Sequence, residues 1–239
     1  MSAPRLSVVI PAFNEAARLP ATLVAVERSL TQAGLSHEIL VVDDGSRDDT
    51  AERALAALPG AVRVLRNETN RGKGYSVRRG MLEARGELRL MSDADLSTPI
   101  EELPRLMEKL DAGYDVAIAS RALPGSHVMV HQPYFRESVG RLFNVMVQAL
   151  VLPGLFDTQC GFKLWTGAAA QEGFASARID GFSFDVEVLY VARRRGRRIA
   201  EVPVTWTNDA ASRVTLLRGS AAFLDVARIR WNGLLGRYG

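Results

Sequence analysis

The first 120 residues alternate short apolar runs with segments of helical periodicity, and this alternation constrains the fold more than any other feature. Strands are predicted at residues 6–10, 38–42, 62–65, 87–91 and 116–119, and helices between them near 15–33, 48–58, 74–85 and 100–112. Such alternation is typical of βαβ units. The sequence therefore predicts an α/β fold with a mostly parallel, Rossmann-like sheet flanked by helices.

Beyond residue 120 the pattern loosens. Helices are predicted near 136–151, 184–195 and 219–235, a strand near 198–204 and a polar loop at 205–215. The chain of 239 residues has no internal repeat and no low-complexity linker. This length fits one large α/β domain, so we expect a single domain over residues 1–239.

Composition restricts the class of protein and its compartment. With 47% hydrophobic and 24% charged residues, the chain has the composition of an ordinary globular protein. The single cysteine, Cys160, cannot form an internal disulfide, which favours a reducing cytoplasm. We expect no signal peptide, because the N-terminus leads directly into a strand, and no membrane span, because no run approaches ~20 apolar residues.

The net charge is only +3, but arginines are concentrated in the C-terminal part of the chain. They are Arg193, Arg194, Arg195, Arg197, Arg198, Arg213, Arg218, Arg228, Arg230 and Arg237. Such a gradient suits an anionic partner, namely a nucleic acid, a membrane surface or a phosphorylated substrate. A solvated basic helix face is the alternative interpretation, and it is favoured for residues 193–198.

Acidic side chains follow three of the predicted strands, where those strands end. Glu15 follows the first strand, Asp43 and Asp44 the second, and Asp93 and Asp95 the fourth. Ligands of open α/β folds bind beyond the carboxyl ends of the strands, so we expect these side chains to line one ligand-binding edge. Two carboxylates such as Asp93 and Asp95 can hold a hard divalent cation and, through it, a diphosphate. Taken singly, each is also explained by helix capping or a turn.

Two details of this edge stay open in the sequence. Asp44 begins a favourable turn, so one of Asp43 and Asp44 is expected to be structural and the other to accept hydrogen bonds from a base or ribose. Glu15 either caps the following helix or lines the site. The loop 70–74 lacks P-loop spacing, yet it can place Lys73 and backbone N–H groups beside a phosphate.

A set of motifs recurs in order along the chain. They are VVIPAFNE (8–15), VVDDGSRDDT (41–50), NRGKGYSVRRG (70–80), DADLSTP (93–99), ASR (119–121), DTQCGFKLW (157–165), GFSFDVEVL (181–189) and EVPVTW (201–206). With these motifs the chain resembles the family 2 inverting glycosyltransferases of GT-A fold. Within that family it is most similar to polyprenyl-phosphate hexosyltransferases of the dolichyl-phosphate β-glucosyltransferase type.

The resemblance implies an activity and its partners. The expected reaction moves glucose from UDP-glucose to a polyprenyl phosphate, dolichyl or undecaprenyl, with inversion to a β-linked product and with Mg²⁺ or Mn²⁺ as cofactor. Residues 1–120 would form the nucleotide-sugar half, and residues 121–239 the acceptor half with its C-terminal helices. The alternative is a family 2 enzyme that uses another nucleotide sugar, such as GDP-mannose, or a non-lipid glycan acceptor.

The resemblance also implies site residues on the donor side. The nucleotide-sugar site would comprise Pro11, Phe13, Glu15, Asp43, Asp44, Lys73, Asp93 and Ala94. Asp95, which is counted as catalytic, would hold the metal together with Asp93. Ser97 stands where mannosyl relatives often have a glutamine that helps to hold the metal, which leaves the third ligand open and favours a glucosyl donor.

On the acceptor side, Asp157 occupies the place of the catalytic acidic group. We expect it to orient the acceptor or tune the anomeric centre rather than serve as an obligatory base, because a phosphate monoester has a second pKa near ~6. Arg121, Arg136 and Arg213 are the candidate ligands of the acceptor phosphate. A packing role is expected for Cys160.

The sequence also bears on contact with a membrane and with nucleic acid. The segments 143–152 and 223–235 are amphipathic, and they suit either interfacial helices or helices packed on the core. A polyprenyl acceptor implies a peripheral position on the cytoplasmic face of the membrane. A nucleic-acid partner is not expected, because acidic strand ends would repel a phosphate backbone, and a non-catalytic sugar-nucleotide binder would be expected to lack Asp95 or Asp157.

Overall fold

The computed structural model describes residues 3–129, 134–207 and 216–238, without the side chains of 134–139 and 216–221. The strands are β1 (Leu6–Ala12), β2 (His37–Asp43), β3 (Val62–Arg66), β4 (Leu88–Ser92), β5 (Val116–Ser120), β6 (His127–Val128), β7 (Phe162–Thr166), β8 (Ile199–Pro203) and β9 (Thr205–Trp206). The helices are α1 (Leu19–Gln32), α2 (Thr50–Ala57), α3 (Lys73–Glu83), α4 (Leu103–Asp111, after a 3₁₀ turn at Ile100–Glu102), α5 (Tyr134–Leu150), α6 (Gly167–Ala175), α7 (Phe184–Arg194) and α8 (Leu216–Leu234).

Seven strands form one sheet in the order β3-β2-β1-β4-β7-β5-β8. Every pairing is parallel except those of β7, which runs antiparallel to β4 and to β5. The predicted α/β fold with a mostly parallel sheet is confirmed. The residues of β5 are all buried, as expected for a strand covered by helices on both faces.

Three strands lie where the sequence did not predict one. Residues 162–166 form a central strand, β7. The apolar pattern did not indicate it, because the fully buried Lys163 interrupts that pattern. The expected polar loop at 205–215 is wrong at its start, where β9 pairs in parallel with β6. Strands β6 and β9 have two residues each, which is too short for a periodic signal in the sequence.

The sheet order brings the acidic strand ends together. Strands β2, β1 and β4 are neighbours and run in the same direction, so Asp43, Glu15 and Asp93 follow their ends at one edge. The antiparallel strand β7 adds its entering turn to this edge, because Ser92 pairs with Phe162. The predicted ligand-binding edge therefore also contains residues 157–161.

The described helices include none that combines the length and the apolar character needed to cross a bilayer.

Candidate active site

The end of β2 separates the roles of two adjacent aspartates. Asp43 is fully buried, and its Oδ1 accepts a hydrogen bond from the Ser46 N–H at 2.9 Å. Its Oδ2 lies 3.3 Å from Arg66 Nε but accepts no hydrogen bond from the described residues. A buried carboxylate oxygen without a hydrogen bond is costly, and the charge of Arg66 offsets part of that cost, so Asp43 is the member of the pair that keeps an unused acceptor position. Direct contact of Asp43 with a nucleotide stays a prediction.

Asp44 instead organises the loop that leads to Lys73. Its Oδ1 accepts hydrogen bonds from Asn67 Nδ2 at 2.7 Å and from the Arg71 N–H at 2.9 Å, and its Oδ2 accepts one from the Gly72 N–H at 2.8 Å. These three donors give Asp44 the structural role that the sequence left open between the two aspartates. Direct contact of Asp44 with a nucleotide stays a prediction.

Lys73 and Asp93 join the loop to the end of β4. The ammonium of Lys73, at the start of α3, lies 2.6 Å from Asp93 Oδ1, and both side chains are partly exposed. Burial alone would lower the pKa of Lys73, but the carboxylates of Asp93, Asp185 and Asp95 outweigh it and raise that pKa. Lys73 is therefore a permanent cation at this edge.

The position of the Asp93 carboxylate depends on Gly161. The Asp93 N–H donates to the Gly161 carbonyl at 3.0 Å, and a Cβ at residue 161 would overlap the carboxylate of Asp93. Sequence analysis did not assign Gly161 to the site. Its place inside the motif DTQCGFKLW was the only signal.

Asp95 lies in a tight, strained turn. Its Oδ1 accepts a hydrogen bond from the Ser97 N–H at 2.9 Å, and the side chain is partly exposed. The intervening Leu96 has φ +46°, a backbone conformation that is costly for a branched residue. The buried Ala94 is fixed by its carbonyl, which accepts a hydrogen bond from Thr22 Oγ1 at 2.6 Å. The turn thus holds Asp93 and Asp95 in a fixed relation.

The end of β1 contributes Pro11 and Phe13, which are both partly exposed. The next residue, Asn14, has φ +56°, and its Oδ1 accepts a hydrogen bond from the Arg47 N–H at 2.8 Å. Glu15 is paired with Arg18, whose Nη2 lies 2.6 Å from Glu15 Oε1. This ion pair accounts for Glu15 within the protein, and its contact with a ligand stays a prediction.

Asp157 and Arg121 form a bidentate pair at the turn that leads into β7. Asp157 Oδ2 accepts hydrogen bonds from the Arg121 N–H at 2.9 Å and Nε at 2.6 Å, and Oδ1 accepts one from Nη2 at 2.8 Å. Burial alone would raise the pKa of Asp157, but Arg121 outweighs it and holds that pKa below the usual range. Arg121 also lies over the ring of Trp206, with 5.2 Å between Cζ and the ring centroid.

A second buried pair supports the turn before β7. The Lys163 ammonium contacts the carboxylate of Asp185, at the start of α7, and donates to the Cys160 carbonyl at 2.5 Å. Burial raises the pKa of Cys160 to about 11, and its Sγ lies 3.4 Å from Thr98 Oγ1. The neutral, enclosed thiol fits the expected packing role.

Two of the predicted phosphate ligands cannot be placed. Arg213 lies outside the described residues, and so does the side chain of Arg136, whose backbone belongs to α5.

The basic run at 193–198 has partners within the protein. Arg197, for example, lies 3.0 Å from Asp115 and pairs with Glu172, and Arg195 donates to the Tyr238 carbonyl at 3.0 Å. Arg193 donates to the Pro153 carbonyl at 2.7 Å. These contacts explain the run without an anionic partner.

Comparison with known proteins identifies the family. The model of glycosyl transferase family 2 matches residues 7–165. The chain belongs to this family. Dolichyl-phosphate beta-glucosyltransferase of Dictyostelium discoideum is 38% identical over 248 residues, covering 97% of this chain and 75% of that protein. The Homo sapiens protein of the same name is 36% identical over 229 residues, covering 88% of this chain and 69% of its own. The resemblance to this type is confirmed.

Solved structures confirm the GT-A fold. Glucosyl-3-phosphoglycerate synthase from Mycobacterium tuberculosis in complex with uridine-diphosphate has a TM-score of 0.69 at 21% identity, covering 99% of this chain and 80% of that one. Mannosyl-3-phosphoglycerate synthase from Rubrobacter xylanophilus has a TM-score of 0.72 at 21% identity, covering 98% of this chain and 75% of that one. The mycobacterial enzyme has also been solved with Mn²⁺ and uridine-diphosphate-glucose.

Proposed function

We propose that this family 2 glycosyltransferase moves glucose from UDP-glucose to a polyprenyl phosphate, dolichyl or undecaprenyl, with inversion at the anomeric carbon. The similarity to dolichyl-phosphate beta-glucosyltransferases, at 38% identity over 97% of the chain, carries the proposal. In the reaction an acceptor phosphate oxygen forms a bond to the anomeric carbon, and UDP leaves with the electron pair of the broken bond. The two halves of the site, 1–120 for the donor and 121–239 for the acceptor, follow from this assignment.

The donor half offers groups of the right chemistry for a uridine diphosphate. Asp43 Oδ2, which accepts no hydrogen bond from the described residues, is an acceptor suited to an imide N–H of a base, with Pro11 and Phe13 as neighbouring apolar surface. Lys73 places a cation beside Asp93 where a diphosphate would lie. Asp93 would contact the ribose or the sugar. Ala94 would contact the nucleotide sugar through its backbone.

The acceptor half binds an anion and needs no proton acceptor. Arg121 keeps its guanidinium charge and is partly exposed, so it is the described candidate for the acceptor phosphate. Asp157 is already ionised and its oxygens accept hydrogen bonds from Arg121, so it positions this arginine rather than removing a proton. A phosphate monoester is largely dianionic at neutral pH and can attack directly.

The residues present fit a divalent cation. Among the described residues, no three His, Cys, Asp or Glu side chains cluster to hold a metal by themselves. Asp95 and Asp93 nevertheless supply the one or two carboxylates that Mg²⁺ or Mn²⁺ sites commonly combine with substrate phosphates. When bound, the ion would stabilise the negative charge that develops on the departing UDP.

Peripheral membrane contact is proposed from α5 and α8, which carry large apolar side chains on their solvent faces beside exposed arginines. Leu142 and Val145 on α5 and Leu224 and Trp231 on α8 are all more than half exposed. The two helices pack together through Phe143 and Phe223, whose ring centroids lie 5.6 Å apart.

This apolar surface adjoins the acceptor side of the site. Asn144 Nδ2 donates to the carbonyl of Phe156 at 2.5 Å, and Phe156 is a half-exposed side chain directly before Asp157. A polyprenyl chain lying on this surface would therefore have its phosphate near Arg121. In flotation with anionic phospholipid vesicles, Trp231→Asp should lose binding, whereas Leu55→Asp, at an exposed leucine of α2, should not.

The activity is tested by transfer from labelled UDP-glucose to undecaprenyl or dolichyl phosphate in detergent. We expect label in the lipid phase with Mg²⁺ or Mn²⁺ and none with EDTA. In Asp95→Ala we expect the rate of transfer to fall about a hundredfold. Asp49→Ala is the matched control, because Asp49 is an exposed aspartate without a side-chain capping bond.

The outcomes separate the parts of the proposal. UDP-glucose binding without lipid product, or transfer to 3-phosphoglycerate instead, would overturn the polyprenyl acceptor. Transfer from GDP-mannose in preference to UDP-glucose would overturn the donor. Unchanged transfer in EDTA would overturn the metal dependence.

A further inference from the structure

The loop that carries Lys73 rests on the backbone of residues 179–181. The Gly74 N–H donates to the Asp180 carbonyl at 2.8 Å. At Gly72, which has φ +103°, a Cβ would overlap that same carbonyl, and at Gly74 it would overlap the carbonyl of Ile179. The two glycines on either side of Lys73 therefore fix its backbone directly onto this second segment.

The second segment is in turn held by a buried carboxylate. Glu187 of α7 is fully buried, and its Oε2 accepts hydrogen bonds from the N–H groups of Arg178 at 2.8 Å and Ile179 at 2.7 Å. Asp180 is also fixed on its other side, because its carboxylate lies 2.6 Å from Arg78 of α3. Movement of Glu187 would therefore move the support of the Lys73 loop.

The remaining oxygen of Glu187 is bound to a tyrosine beyond α8. The hydroxyl of Tyr238 donates to Glu187 Oε1 at 2.7 Å, and the Tyr238 side chain is buried. The Tyr238 carbonyl accepts a hydrogen bond from Arg195 Nη2 at 3.0 Å, which fixes the backbone at this point. Hydrogen bonds, together with the backbone of residues 178–180, thus connect Tyr238 to the glycines that flank Lys73.

We infer that Tyr238, acting through Glu187, is a positioning residue for the donor-phosphate loop. The inference rests on the proposed function, in which Lys73 contacts the donor diphosphate. Loss of the Tyr238 hydroxyl leaves Glu187 Oε1 without this partner inside the protein, and the carboxylate then has to shift or rehydrate. The 178–181 segment follows Glu187, and Lys73 loses its fixed place relative to Asp93.

The test compares Tyr238→Phe with Tyr190→Phe. Tyr190 is a matched control, because it is buried, its ring packs edge-on against Tyr238 with centroids 6.0 Å apart, and its hydroxyl contacts Arg194 rather than Glu187. UDP affinity is measured by calorimetry with Mn²⁺ present, together with KM for UDP-glucose, KM for the lipid acceptor and the melting temperature. We expect Tyr238→Phe to weaken UDP binding and raise KM for UDP-glucose about three- to tenfold, with the acceptor KM unchanged.

Both variants lose a buried hydroxyl, so a drop in melting temperature that is common to both does not test the positioning role. The difference in UDP affinity between the two variants tests it. Equal UDP affinity in wild type and Tyr238→Phe would overturn the inference, as would an equal loss in Tyr190→Phe. Failure of the wild type to bind UDP or UDP-glucose would instead overturn the proposed function. Glu187→Gln provides a second variant, and it should weaken UDP binding in the same direction.

Discussion

The Asp157–Arg121 pair should make a large contribution to the free energy of unfolding. Asp157 is 7% exposed and accepts hydrogen bonds from three groups of Arg121 and from the Gln159 N–H at 3.2 Å. In Asp157→Asn an amide NH₂ replaces one acceptor oxygen and faces the donors of Arg121. Removing one member of a buried ion pair costs about 3–5 kcal/mol, and because Arg121 is partly exposed we expect the lower end, about 3 kcal/mol.

For a chain of this size, about 3 kcal/mol corresponds to a fall in melting temperature of roughly 6–12 °C. The assay is urea and thermal unfolding of the ligand-free protein. Asp115→Asn is the control, because Asp115 also bonds an arginine, Arg197, but is 23% exposed, and Arg197 keeps its contact with Glu172. We expect Asp115→Asn to lower the free energy of unfolding by about 1 kcal/mol or less. Equal losses in the two variants would refute the reasoning.

The same pair gives a signed pH dependence. Arg121 outweighs burial and lowers the pKa of Asp157 from its ordinary value of 3.8, so the carboxylate binds protons less readily in the folded state than in the unfolded chain. Its stabilisation is complete above about pH 5 and is lost as the pH falls through the lowered folded-state pKa. The stability difference between wild type and Asp157→Asn should therefore be constant from pH 6 to 8 and shrink in acid. A difference that grows in acid would contradict the assigned direction.

Three further outcomes follow from the site. Gly161→Ala should reduce transfer about a hundredfold, because the new Cβ displaces the Asp93 carboxylate, whereas Gly140→Ala, where a Cβ meets none of the described residues within 4 Å, should leave transfer unchanged. Cys160, with its pKa raised to about 11, should react with a thiol reagent at pH 8 only after unfolding. Because its pKa is raised, Lys73 should stay protonated, so calorimetric UDP affinity should show no lysine titration between pH 7 and 9.

The sequence predicted the acidic edge because its evidence is local. An apolar run marks a strand, the residue after the run marks its end, and parallel strands share an edge, so Asp43 and Asp93 could be placed together without coordinates. The site's supports could not be predicted in this way. Lys163 lies in a buried strand only because Asp185 neutralises it from another element. Nothing near residue 163 in the sequence carries that information.

The same limit explains why the sequence could not assign roles to Asp43 and Asp44. Both follow the same strand, and both are carboxylates. Their difference is set by the loop that carries Asn67, Arg71 and Gly72. Its donors converge on Asp44, and one oxygen of Asp43 accepts no hydrogen bond from the described residues. Contacts between residues more than twenty positions apart decided the matter, and apolar periodicity does not record them.

The charges collected at this edge give a physical reason for a divalent cation in the proposed reaction. Carboxylates outnumber the cations paired with them among the described side chains there: Glu15, Asp43, Asp44, Asp93, Asp95, Asp157 and Asp185 against Arg18, Arg66, Lys73, Arg121 and Lys163. A diphosphate would thus meet more carboxylates than cations paired with them, and at short range this repulsion is only weakly screened. A divalent cation held by Asp95 would offset this excess of negative charge where the diphosphate must lie. Removing the metal should therefore weaken binding of UDP itself, before any chemistry, and calorimetry of UDP with and without Mn²⁺ would measure that difference directly.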